Sequence, residues 1–109
     1  MSDSPYIYNV TIEDFESLVI QNSFKQPVLV DFWADWCQPC QSLIPVLHKL
    51  AEEYQGAFTL AMVNSDEQGE LAAQAGVKSL PTVKLFVDGQ MVNEFMGALP
   101  ESGVKKFLD

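Results

Sequence analysis

Two cysteines are separated by two residues in Cys37-Gln38-Pro39-Cys40, directly after Asp35-Trp36. That spacing serves three chemistries: half of a metal site, a structural staple, or a dithiol that is itself a reagent. The staple is weak on physical grounds. A bridge across two residues closes almost no loop, and long loops are where disulfides stabilise most. A chain of 109 residues buries a little under ~70% of its unfolded surface, so its core does not depend on one. Structural zinc takes four Cys or His ligands. Beyond the pair this chain offers only His48, which we read as a solvent-facing helix residue, so it cannot close a metal site by itself.

The reagent reading gains from position. A helix is expected from about Cys37 to Tyr54. Residues three apart on one helical face lie roughly 5–6 Å from each other, inside the Cα separation of about 4.4–6.8 Å that a disulfide tolerates. The pair can therefore open and close with little backbone movement. Cys37, at the helix N-terminus, meets free N–H groups and the positive end of the helix dipole, both of which favour thiolate. Cys40, one turn deeper, should stay a thiol until needed. Pro39 fits the first turn, where its missing N–H would have had no partner. Asp31 is the other unusual residue, a charge inside the apolar run Val28-Leu29-Val30-Asp31-Phe32-Trp33. An exposed strand position would explain it, but apolar neighbours on both sides argue for burial.

These residues need a frame. Tyr6–Val10 reads as a short strand. Thr11 caps a helix running to about Asn22, with Asp14 at the capping-box distance. Pro27 leads into the strand Val28–Trp33. In the long helix Leu43, Leu47, Leu50 and Ala51 fall at helical spacing, and Gly56 stops it. Phe58–Asn64 is a strand and Glu67–Ala75 a helix closed by Gly76. Thr82–Val87 and Met91–Phe95 are strands joined by the hairpin signal Asp88-Gly89, and Pro100–Leu108 is a last short helix. The order β-α-β-α-β-α-β-β-α predicts an α/β domain over residues 1–109. Its mixed central sheet should have about five strands, with helices on both faces.

Net charge is −9, with six lysines and no arginine. Such a surface repels phosphate backbones and anionic bilayers, which excludes nucleic acid and membrane as partners. We read the acidity itself as serving solubility. No apolar run approaches the ~20 residues that span a bilayer, and Met1–Val10 lacks the layout of a signal peptide. A cytoplasmic setting follows, where thiols are kept reduced.

The segment Val30-Asp31-Phe32-Trp33-Ala34-Asp35-Trp36-Cys37-Gln38-Pro39-Cys40 resembles the active-site segment of thioredoxins. The likeness continues through Pro45, Leu80-Pro81-Thr82 and Gly97-Ala98-Leu99, so it covers nearly the whole chain. The resemblance implies the thioredoxin fold and a thiol-disulfide oxidoreductase that reduces protein disulfides. In it Cys37 attacks, Cys40 resolves the mixed disulfide, and Asp31 is the buried carboxylate that takes and returns the Cys40 proton. It further implies that Pro81 is a cis-proline against the dithiol and that Leu80 offers its backbone to an extended peptide. Trp36 then walls a substrate groove that Gly97 and Ala98 complete, although Gly97 also fits a simple bend, and Trp33 fits core packing at least as well. No bound cofactor is implied. NADPH would act indirectly, through a partner thioredoxin reductase.

Four features depart from the usual pattern or refine it. Gln38 stands where glycine is usual, so with Pro39 it should tune the redox poise. Gln41 stands where lysine is common. Met62 falls where many thioredoxins keep a lysine near the buried aspartate, which should raise the Asp31 pKa further. Finally, Gln26–Val30 and Phe95–Glu101 look more like the N-terminal thioredoxin domain of bacterial tetratricopeptide-repeat co-chaperones, from which this chain could be cut. That likeness supplies the alternative: a redox-active client-binding domain of a holdase that protects cysteines of unfolded clients.

Overall fold

The computed structural model describes residues 4–109. Five strands form one mixed sheet: β1 (Ile7–Asn9), β2 (Val28–Trp33), β3 (Thr59–Asn64), β4 (Thr82–Val87) and β5 (Gln90–Met96), in the spatial order β1-β3-β2-β4-β5. β1, β3 and β2 run parallel, and β4 and β5 run antiparallel to their neighbours. The expected α/β architecture is present, and it is the thioredoxin fold.

Central β2 is buried along five of its six residues, on both faces. One face carries Leu29 and packs on α1 (Gln38–Tyr54) through Leu43, Leu47 and Leu50, with Val104 of α3 (Glu101–Leu108) completing the cluster. The other carries Val28, Val30 and Phe32 and meets Val19 with Leu71 and Ala72 of α2 (Gly69–Gln74). Burial on both faces explains the unbroken apolar run of β2. Strand alternation then puts Asp31 on the α1 face with Leu29.

The registers decide where the site lies. Phe32 pairs with Thr82, Trp33 with Asn64, and Thr82 with Met96. One end of the sheet therefore gathers the chain leaving β2 toward Cys37, the segment entering β4 through Leu80-Pro81, and the exit of β5 through Gly97-Ala98.

The first helix differs from expectation. Asp14 does reach back as a capping residue, accepting from the Thr11 N–H at 2.7 Å and the Thr11 hydroxyl at 3.2 Å. No regular α-helix follows. Glu16–Gln21 is a π-helix that tightens into a 3₁₀ turn at Asn22–Phe24. The Tyr8 hydroxyl donates to the Leu18 carbonyl at 3.0 Å and accepts from the Asn22 amide at 2.9 Å. The Tyr8 hydroxyl is thus bonded into this segment at two points. Val28–Trp33 and Thr82–Val87 keep their expected bounds, and the remaining elements shift by at most two residues at either end.

Candidate active site

Cys37 caps α1 rather than lying inside it. Its backbone is extended (φ −86°, ψ 106°), Gln38 and Pro39 open the helix, and the Cys40 N–H donates to Cys37 Sγ at 3.2 Å. The sulfur thus occupies the place an N-capping oxygen would take. Cys37 and Cys40 are joined in a disulfide, with Cα atoms 5.3 Å apart. Around them Ala34, Trp33, Ile44 and Leu80 form a small apolar cluster, in which Cys40 is fully buried and Cys37 is 3% exposed. Gln38 and Pro39 are exposed on the outer side of the turn.

Asp31 is fully buried, and neither carboxylate oxygen has a hydrogen-bond partner among the described residues. Burial pushes its pKa up to about 7. In the sheet register Asp31 is flanked by Met62 of β3 and Val83 of β4, so an apolar thioether and an apolar branch stand on either side. Nothing in that row offers the carboxylate a positive charge.

Leu80–Pro81 is a cis peptide bond. Pro81 is buried, and its carbonyl accepts from the Gly97 N–H at 3.0 Å. Among the described residues the Leu80 main chain makes no hydrogen bond. Gly97 has φ +87°, and a Cβ built there would meet nothing within 4 Å. Its backbone requires glycine for the bend, and Ala98 beyond it is exposed. Trp36 is 68% exposed, yet its indole N–H donates to the Asp66 carboxylate at 3.0 Å. Asp66 is fixed in turn, its N–H donating to Asn64 Oδ1 at 3.0 Å. Trp33 is half-buried and packs into both the α1 core and the cysteine cluster, the core role weighed for it above.

His48 corrects an expectation. It is half-buried, its Nε2 lacks a partner among the described residues, and burial pulls its pKa down while Glu52 partly opposes. With Trp33, Gln41, Ile44 and Met62 it lines a cleft of ≈ 380 Å³. The position flanks the apolar stripe of α1, one residue beyond Leu47, so α1 carries it into the cleft rather than to solvent. Sequence reasoning also missed Asp66, Ser79 and Met96. The Ser79 hydroxyl donates to Met96 Sδ at 3.6 Å beside the Leu80–Pro81 bond. No spacing links residues so far apart, and only the β4–β5 register joins them.

Among the described residues no group of three or more His, Cys, Asp or Glu could hold a metal ion, and no helix is long and apolar enough to cross a membrane.

A family model described as Thioredoxin matches residues 6–109. The chain is 42% identical to a thioredoxin of Pseudomonas aeruginosa over 97% of its own length and 96% of the relative's. It is 41% identical to Thioredoxin 1 of Synechococcus elongatus over 92% of each chain. A thioredoxin of Porphyra purpurea is 39% identical over 94% of each.

Proposed function

Because this chain belongs to the thioredoxin family and is a thiol-disulfide oxidoreductase, we propose that it reduces protein disulfides by a two-step exchange in which Cys37 attacks and Cys40 resolves. The observation that carries this assignment is the Cys37–Cys40 disulfide at the cap of α1. In the reduced protein Cys37 Sγ faces the first-turn N–H groups, which favour its thiolate. The thiolate attacks one sulfur of the substrate disulfide, that S–S bond breaks, and the departing sulfur takes a proton. Cys40 then yields its proton to Asp31 and attacks Cys37 Sγ. The mixed disulfide breaks, and the substrate leaves as a dithiol. A carboxyl whose pKa is about 7 exchanges protons readily at neutral pH, which suits that task.

Trp36, Leu80, Gly97 and Ala98 line the groove. The unbonded Leu80 main chain pairs with an extended segment, giving affinity with little side-chain selection. Gln38 and Pro39 set the poise from the first turn of α1. Recharging needs two electrons and two protons, supplied from NADPH by a thioredoxin reductase. The cytoplasm, whose thiol pool keeps such a pair reduced, is the compartment for this work. The likeness to co-chaperone domains has no observation in its favour, and the relatives reported above are thioredoxins along nearly their whole length.

Insulin-disulfide reduction with NADPH and thioredoxin reductase tests the assignment. Wild type should turn over, and Cys40→Ser should stall as a mixed disulfide through Cys37. Wild-type inactivity, together with suppression of client aggregation that survives loss of both cysteines, would replace it with the holdase reading.

A further inference from the structure

We propose that Met96 is a modification site, at which a hydroperoxide converts the thioether to the sulfoxide and thereby weakens substrate binding. The inference rests on the groove assigned above.

Met96 ends β5, opposite Thr82 in the register and directly before Gly97, whose N–H binds the Pro81 carbonyl. It is 60% exposed, so an oxidant reaches its sulfur from solvent. The Ser79 hydroxyl donates to Sδ and holds this flexible side chain against the segment that leads into Leu80–Pro81. Met96 thus adds a polarisable apolar contact to a groove in which Trp36 and Ala98 are also exposed. The remaining described methionines stand elsewhere. Met62 is 6% exposed, and Met91 lies at the far end of β5, lining a separate cleft with Phe15 and Phe86.

The reaction balances with the peroxide alone. Its terminal oxygen transfers to Sδ, the O–O bond breaks, the sulfur loses two electrons, and water or an alcohol departs. The sulfoxide oxygen is a stronger acceptor than the thioether, so the Ser79 hydroxyl remains its donor. What changes is the outward surface, which turns from apolar to polar where substrate must dock. Substrate that covers the sulfoxide desolvates it, so KM rises while the sulfur chemistry at Cys37 is untouched.

The full chain is treated with hydrogen peroxide in its disulfide form, which protects both cysteines, and peptide mass reports occupancy at Met96. After peroxide is removed, insulin turnover with reductase and NADPH is compared with that of the untreated protein. Wild type and Met91→Leu should each lose roughly threefold or more in kcat/KM, mainly through KM. Met96→Leu should lose nothing, all thermal midpoints should hold, and a dithiothreitol-driven methionine sulfoxide reductase should restore the rate. Fully oxidised Met96 with unchanged kcat/KM, or an equal loss in Met96→Leu, overturns the proposal alone. No turnover before peroxide removes the assigned function, and this inference with it.

Discussion

In the proposed exchange Asp31 takes the Cys40 proton, and one neighbouring side chain bears on how fast it does so. Met62 stands beside Asp31 in the register and is itself almost fully buried. With its pKa at about 7, Asp31 is half ionised at neutral pH. A lysine at position 62 would place a positive charge next to the carboxylate and favour its charged form. If Met62→Lys lowers the pKa by about one unit, the ionised fraction rises about twofold at pH 7 and about fivefold at pH 6. Stopped-flow release of a mixed disulfide at Cys37 should accelerate by the same factors, more at pH 6 than at pH 7. Equal rates in both proteins would mean that Asp31 does not take the Cys40 proton.

At the scale of elements, the β4–β5 hairpin aligns the exit of β5 with Pro81. Asp88 and Gly89 both have positive φ (53° and 82°), as a two-residue turn of this hand requires. The turn is anchored to the first helical segment, the Gly89 N–H donating to Ser23 Oγ at 2.7 Å. A Cβ on Gly89 would lie 2.7 Å from Phe24 Cζ. Gly89→Ala should therefore cost about 1 kcal/mol for the backbone, plus the displacement of Phe24, seen as a lower denaturant midpoint. Because the active-site end of the sheet is remote from this turn, kcat/KM should hold. This hairpin was legible before any coordinates, since Asp-Gly between two apolar runs has one good solution. The Cys37–Cys40 pair, the burial of Asp31 and the long helix were legible for the same reason: local spacing or an unbroken apolar run encoded each. What stayed hidden depended on partners far along the chain. The π-helix carries a bond from the distant Tyr8 hydroxyl to Leu18, the burial of His48 comes from a cleft shared with β1 and β3, and the Ser79–Met96 contact from strand register.

For the molecule as a whole, the buried Asp31 carboxyl is a cost to stability once it is ionised. Unfolded, the carboxyl ionises near its model value of 3.8; folded, it holds its proton up to about pH 7. Between those values the native state binds more protons than the unfolded state, so this group makes stability fall as pH rises. The penalty is complete above about pH 7 and absent below about pH 4. His48 works in the opposite sense. Its lowered pKa makes the unfolded state the better proton binder, but only below about 6.5, so above that pH the slope belongs to Asp31. A shift of about three units corresponds to on the order of 4 kcal/mol at pH 8. Asp31→Asn removes the charge while keeping the shape. In urea titrations of the disulfide form, the variant should gain a few kcal/mol over wild type at pH 8 and almost nothing at pH 4. If Asp31 takes the Cys40 proton as proposed, the same substitution should slow mixed-disulfide release. A variant no more stable than wild type at pH 8 would show that Asp31 finds solvation the folded chain does not otherwise provide, and its place as the buried base would fall with that result.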